Sequence, residues 1–499
     1  RSADTSYLQL LMSFPSCYSP FLYCYGFLFL SFYLWFYLWN EVYMFKTLIK
    51  ELSTTQIIAL GFLGTIFIGA FILCLPFCSS NGTFTPFIDA LFTSTTSVCV
   101  TGLVVVNTAS HWSLFGKIII LILIQLGGLG IVSFVTGIMM IAGSRITLSD
   151  RLLLEDALNL STLKGLVRFL RFIFKGTFII EITGAICYSF VFIPDYGLIK
   201  GLWFSLFHSV SAFCNAGIDL LGENSLEIYA SNVWINLITM FLIISGGIGF
   251  IVWKDIMDCF KNYFTSKKSI KKSLQKLRLH TKITLITTAT LIFGGALLIF
   301  LLEYTNSDTI GNMSFSGKII ASFFQSVTLR TAGFATFSQS GLRHGTVLLC
   351  YFLMIIGGSS IGTAGGIKTT TAATLFLSTR AIVKNKNHLI VFRKNIPHQT
   401  VTKALAITMV SISFLLLASF SLYQAEGGSM VDVVYETTSA IGTVGLTRDF
   451  TPKLHLLGKL IIIICMYLGR IGPISMVIFF NNDRRKELVS FPHEDITVG

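Results

Sequence analysis

The sequence predicts an all-α polytopic membrane protein, built as four tandem helix–pore loop–helix repeats in a pseudo-fourfold ring around one pore. Three observations predict it. Apolar segments near or beyond the ~20 residues needed to cross a hydrocarbon core recur along the chain. Basic residues gather in the alternate linkers between them. A short semi-apolar stretch closing on a glycine occurs four times, each time between two long apolar segments.

The membrane assignment follows from composition. Of 499 residues, 53% are hydrophobic and 12% charged, and the mean hydropathy is +0.75. A soluble domain of that size needs far more charge to cover its surface. A net charge of +13 would suit nucleic-acid binding if the basic residues shared a face. They alternate between apolar spans instead, as the positive-inside rule demands, so no nucleic-acid partner is expected. One basic linker carries Arg145, Arg151, Lys164, Arg168, Arg171 and Lys175. The next runs from Lys254 to Lys282, and a third carries Arg380, Lys384, Lys386, Arg393, Lys394 and Lys403. These linkers are expected to be cytoplasmic. Most of the ten Cys lie inside apolar runs, where a thiol acts as a small hydrophobe. No CxxC pair or zinc-like His/Cys spacing occurs, so neither disulfides nor a transition metal are expected.

Residues 1–43 form an aromatic-rich segment with fifteen aromatic side chains. It lacks the charged start and small-residue cleavage site of a signal peptide. The expectation is an over-extended reading frame with translation starting at Met44; the alternative is an extra span at about 20–39.

From Met44 the chain divides into pore repeat 1 (44–145), repeat 2 (146–265), repeat 3 (266–390) and repeat 4 with a C-terminal tail (391–499). The spans read as 55–77 and 113–142, 170–193 and 231–253, 282–302 and 346–378, 402–423 and 456–480. The four short stretches align without gaps on Gly102, Gly217, Gly333 and Gly445, with intervals of 115, 116 and 112 residues, and an aromatic residue lies ten positions before each glycine. Each stretch is too short to cross a bilayer. Irregular backbone at membrane depth is tolerated only where protein covers it or it lines a wet cavity. Four such re-entrant helices can aim their negative C-terminal ends at one axis, and the extended residues beyond can present carbonyls to a dehydrated cation. The predicted cation-binding residues are Val100, Thr101, Gly102, Asn215, Ala216, Gly217, Thr331, Ala332, Gly333, Thr443, Val444 and Gly445. Hydroxyls at Thr96, Ser97, Ser211, Thr328 and Ser439 are expected to brace the loops. No acidic residue lies within seven positions before any of the four glycines, which favours a carbonyl-lined monovalent site.

These loops and the layout from Met44 onward resemble the Trk/Ktr/HKT superfamily of potassium transporters, and the bacterial Ktr membrane subunit most of all. Glycine at all four filter positions implies potassium as the substrate, because members with Ser at the first tend to pass sodium. The resemblance implies channel-like potassium uptake across the bacterial cytoplasmic membrane by a homodimer with a cytosolic nucleotide-binding regulatory ring docked on the basic linkers and the broken span. The chain itself has no nucleotide fold and is expected to carry no cofactor; sodium is a candidate activator. The tail Phe491–Gly499 resembles Ktr tails that reach into the dimer interface.

The sixth long span is interrupted by a glycine-rich run holding Gly357, Gly358, Ser359, Ser360, Gly362, Thr363, Ala364, Gly365, Gly366 and Lys368. Glycines at ~1 kcal/mol each should break a helix. The run matches the family's gating loop, and the reading is a flexible intramembrane gate, with close helix packing through small residues as the alternative. Lys368 is expected to face the pore or a protein partner. Arg470, near the middle of the last span, matches an Arg below the family's filter that sets a barrier to cations; the alternative is an ion pair with Glu436 or Glu181. Arg330 is expected to turn away from the pore and pair with loop acids. Asp89, Asp219, Glu223, Asp432, Glu436 and Asp449 are read as capping or solvated carboxylates that together concentrate cations. His208 is read as a packing residue, and the Gly127–Gly130, Gly246–Gly249 and Gly469–Gly472 runs as helix contacts near the pore. A sodium- or proton-coupled symporter is the rival function, disfavoured because such carriers use inverted repeats. No nucleophile–base pair points to an enzyme.

Overall fold

Twenty-residue apolar stretches have one stable form in hydrocarbon, the helix, which satisfies its own backbone. The computed structural model describes residues 52–141, 146–158, 165–222, 225–266, 275–386 and 388–472, and its described elements lie in one unit, Thr54–Gly499. The 1–43 segment, Met44, Arg145, Lys164, Glu223, much of the second basic linker and the tail after Gly472 lie outside the described residues.

Repeat 1 comprises α1 (Thr54–Cys74), the short α2 (Phe87–Cys99), α3 (Leu114–Leu129) and α4 (Ile131–Ile141), with α5 (Leu148–Ala157) following. Repeat 2 has α6 (Leu166–Tyr196), α7 (Leu198–Cys214), α8 (Val233–Gly247) and α9 (Phe250–Ser266). Repeat 3 has α10 (Leu279–Glu303), α11 (Phe315–Thr328), α12 (His344–Ile355) and α13 (Thr369–Val383). Repeat 4 has α14 (His398–Glu426), α15 (Met430–Gly442) and α16 (Leu456–Ile471). The first helix of each repeat is long and apolar enough to cross a membrane. The same order of long helix, short helix and second span thus recurs four times among the described residues, the second span being in two pieces in repeats 1 to 3. A hairpin of β1 (Leu389–Val391) and β2 (Lys394–Ile396) joins repeats 3 and 4, and the 390/391 boundary falls inside it.

The second spans of repeats 1 and 2 differ from expectation. Read as continuous over 113–142 and 231–253, they bend by 101° between α3 and α4 and by 100° between α8 and α9. Gly130 (φ +82°) and Gly249 (φ +93°) sit at the two breaks. Hydrophobic periodicity stays apolar through both bends, so the pattern alone gives no sign of them. The second span of repeat 3 breaks as predicted, between Ile355 and Thr369.

The re-entrant helices α2, α7, α11 and α15 form the centre. Their outer partners hold them by a repeated polar contact. The Ser94 hydroxyl donates to the Ile66 carbonyl at 2.6 Å, Ser209 to the Glu181 carbonyl at 2.6 Å and Ser326 to the Ile292 carbonyl at 2.8 Å. In repeat 4 Ser419 and Thr437 share a hydroxyl pair at 2.7 Å. In the first three repeats a glycine one turn along the long helix (Gly69, Gly184, Gly295) leaves room for the serine, since a Cβ there would strike its Oγ. Long helices meanwhile expose Ile68, Phe71, Ile179, Phe293, Leu416 and Leu417 on their outer faces, as a lipid-facing surface requires.

Candidate functional site

Each re-entrant helix is followed by a left-handed residue, directly at the C-cap of α2, α7 and α15 and three residues past the end of α11. The residue two before each of the four aligned glycines is left-handed: Val100 (φ 55°), Asn215 (φ 61°), Thr331 (φ 71°) and Thr443 (φ 51°). Three of these are β-branched, for which such angles are strained and persist only under surrounding constraint. The glycines that follow also have positive φ, from +64° at Gly217 to +100° at Gly102. Together these turns reverse the chain and lay the next residues extended past the helix C-terminus.

The four turns meet. A Cβ on Gly102 would lie 2.6 Å from the Ala216 carbonyl oxygen; one on Gly217, 2.5 Å from that of Ala332; and one on Gly333, 2.7 Å from that of Val444. A Cβ on Gly445 would strike the Thr101 carbonyl oxygen. The contacts run from repeat 1 to 2, 2 to 3, 3 to 4 and back to 1, so the four predicted glycines form a closed ring. No side chain fits at these places, which is why glycine stands there. All twelve predicted cation-binding residues are buried. With the negative ends of four helices beside it, the ring favours a cation electrostatically.

Hydroxyl bracing follows the expected residues with two differences. The Thr96 hydroxyl accepts the Gly102 amide at 2.9 Å and the Ser439 hydroxyl the Gly445 amide at 3.0 Å. Ser211 bonds both backbone groups of Ile218, at 2.6 and 3.1 Å. In repeat 3 the brace is Thr328 to the Phe334 carbonyl, 2.7 Å. It sits one position later than its counterparts because Val327 occupies the aligned site. Ser97 instead bonds Thr93 within its own helix. With its amide assigned from the surrounding acceptors, Asn215 donates through its nitrogen to the carbonyls of Ala212 and Ile243.

The interrupted span is ordered by its hydrogen bonds and lies against the ring. Ile356 and Ile367 form a parallel bridge. The loop is tied to the repeat 2 break: Ser359 N donates to Gly247 O at 2.8 Å, Thr363 N to Gly246 O at 3.2 Å, and Phe250 N to Ile361 O at 2.8 Å. A Cβ on Gly365 would strike the Thr443 hydroxyl, and one on Gly357 would lie 3.2 Å from a Thr331 methyl. The gate candidates Gly357, Gly358, Ser359, Ser360, Gly362, Thr363, Ala364, Gly365 and Gly366 therefore form one hydrogen-bonded unit packed between the turns at Thr331 and Thr443 and repeat 2. The Lys368 Nζ donates to Ala364 O of its own loop at 2.8 Å.

Arg470 forms no ion pair with Glu436 or Glu181. Its guanidinium donates to the carbonyls of Thr363 and Gly127, and to that of Gly128 at 3.4 Å. Glu436 instead accepts from Thr447 at 2.8 Å and from Thr451. Glu181 accepts from Gln125 at 3.2 Å. The sequence carries no sign of the Arg470 partners because backbone carbonyls leave no residue-type signal. The glycine runs pack as expected: Cβ atoms on Gly127, Gly246 and Gly469 would strike the carbonyls of Val98, Phe213 and Ile441.

Arg330 is buried, and no loop acid or other carboxylate among the described residues pairs with it; Glu223 of the expected set lies outside them. The acids that surround the loops serve other bonds. Asp89 pairs with Lys459 at 2.6 Å and Asp432 with Arg448 at 2.7 Å; Asp219 accepts the Leu221 amide. Only Asp449 of the predicted set is exposed among the described residues. Burial, reinforced by the Asp449 carboxylate, pushes the nearby Glu227 carboxyl up. His208 bonds the Phe204 carbonyl at 2.7 Å, a packing role.

Comparison with known proteins bears on this arrangement. The family model described as "TrkH: Cation transport protein" matches residues 51–487. The chain is 40% identical to the potassium/sodium uptake protein NtpJ of Enterococcus hirae over 462 residues, covering 91% of this chain and 99% of that protein. It is 39% identical to the Ktr system potassium uptake protein B of Bacillus subtilis, covering 89% and 96%. The crystal structure of the potassium transporter TrkH from Vibrio parahaemolyticus matches with a TM-score of 0.64 at 16% identity, covering 87% of this chain and 86% of that one.

Proposed function

The chain belongs to the TrkH cation transport family, and from that premise we propose that it is the multi-pass, potassium-translocating subunit of a potassium uptake system in the cell membrane. The observation that carries the reading is the closed ring of Gly102, Gly217, Gly333 and Gly445, each against the next repeat's carbonyl. An entering cation sheds water there and takes protein oxygens in its place. The carbonyls before the four glycines, with those of Val100, Asn215, Thr331 and Thr443, are the proposed ligands. Nothing acidic stands in the ring, which fits a monovalent ion.

The loop from Gly357 to Lys368 is the proposed gate. Its position against Thr331 and Thr443 puts it next to the ring, and Arg470 holds it to repeat 1. The Arg470 charge also raises the barrier to a passing cation. Relatives named as parts of a Ktr system support a subunit that works within a larger uptake system. The proposed assembly is a homodimer with a cytosolic nucleotide-binding ring docked on the basic linkers and the broken span, with adenine nucleotide or cyclic-dinucleotide control held in that ring.

Reversal potentials in proteoliposomes with opposed sodium and potassium gradients test this. A potential tracking potassium alone supports the conduit; a shift with both gradients supports coupling to sodium and defeats it.

A further inference from the structure

The place of Arg330 calls for a ligand that the conduit itself does not supply. Arg330 and Thr288 are each 6% exposed, and both line one small cavity between α8, α10 and α11, of about 10 Å³, walled by Ile243, Ile244, Ile248 and Val327. Arg330 Nε and Thr288 Oγ1 have no hydrogen-bond partner among the described residues. A buried guanidinium without an acid is costly, and a negative charge within reach offsets that cost. No Asp or Glu among the described residues pairs with it. A volume of this order is at the lower limit for one water, so it excludes a carboxylate or phosphate and admits a monatomic anion only where the apolar walls yield by a fraction of an ångström.

We propose that this cavity binds a monovalent anion of chloride size, held by the Arg330 guanidinium and the Thr288 hydroxyl. Both groups donate, and the apolar walls strip water from the anion. Arg330 stands three residues before Gly333, so the bound anion offsets a positive charge that would otherwise repel cations from the ring. Cation affinity then rises with anion occupancy. Water in the same cavity would satisfy the donors but leave the charge uncompensated.

Bromide is the probe. Full-length protein crystallised in bromide, with diffraction recorded at the bromine edge, is expected to show anomalous density between Arg330 and Thr288. That density is expected to vanish in Arg330→Gln and weaken in Thr288→Val. Absent density, or density unchanged by both variants, overturns the proposal. Bromide density needs no transport, so its outcome is separate from that of the conduit reading. If Arg330→Gln fails to fold, Thr288→Val still decides. In proteoliposomes, cation uptake by the unaltered protein is expected to be tighter in chloride than in gluconate, and Thr288→Val to flatten that difference. Equal affinity in the two salts overturns the proposal.

Discussion

The guanidinium of Arg470, on the last span of repeat 4, donates to the carbonyl oxygen of Thr363, in the interrupted span of repeat 3. Its second terminal nitrogen holds the carbonyl of Gly127, at the end of α3. One side chain therefore ties the gate candidate to two other repeats. Charged hydrogen bonds of this kind contribute ~1.5–3 kcal/mol each, enough to bias a loop between two positions.

Arg470→Gln is expected to loosen that tie and remove a positive charge below the ring. Basal rubidium uptake in proteoliposomes lacking any cytosolic partner should rise, by roughly tenfold if one charged bond's worth of bias is lost. The protein should still fold, with the unfolding midpoint in detergent lowered by no more than the lost charged bonds account for. Unaltered uptake kinetics would refute both roles.

Removing residues 359–367 deletes the loop's ties to Gly246, Gly247 and Phe250 while leaving the ring. The expected product conducts potassium but no longer responds to a regulatory partner. Uptake measured with and without that partner checks it; preserved regulation counts against a gate here.

Gly102→Ser introduces a side chain where φ is +100° and a Cβ would stand 2.6 Å from the Ala216 carbonyl. Strained backbone of this kind costs ~1–3 kcal/mol. Relief by shifting the carbonyl disturbs the ligand geometry. The potassium-to-sodium permeability ratio, read from bi-ionic reversal potentials, is expected to fall by roughly tenfold or more. A retained ratio would place Gly102 outside the selective region.

Ser439→Ala removes the hydroxyl that accepts the Gly445 amide. A loss of about 1 kcal/mol is expected from that bond, seen as weaker potassium affinity, with Ser439→Thr restoring it. Loss of affinity in both variants would point to packing rather than the bond.

Gly69→Leu tests how the re-entrant helix is seated. A Cβ there would strike Ser94 and lie 2.8 Å from Leu123. Overpacking costs ~1–3 kcal/mol, so the unfolding temperature in detergent should fall; an unchanged midpoint would mean α1 and α2 separate freely.

Much of this molecule was legible in order of residues alone. Apolar length set the class, and the four glycines at near-equal intervals set the repeat and marked the ring, because only glycine leaves carbonyls free to crowd an axis. The hydroxyls of Thr96, Ser211, Thr328 and Ser439 were legible by position. Partners that are backbone atoms were not. Arg470 reaches the carbonyls of Thr363 and Gly127, Lys368 that of Ala364, and Ser94 that of Ile66, and every residue type offers the same carbonyl. The bends at Gly130 and Gly249 were hidden for a related reason: both halves of each bent span remain apolar, so hydropathy runs on unbroken. What the sequence determined is which groups had to be buried. Which of them meet, and that Arg330 is buried with no carboxylate among the described residues to receive it, was decided only when four repeats closed on one another in space.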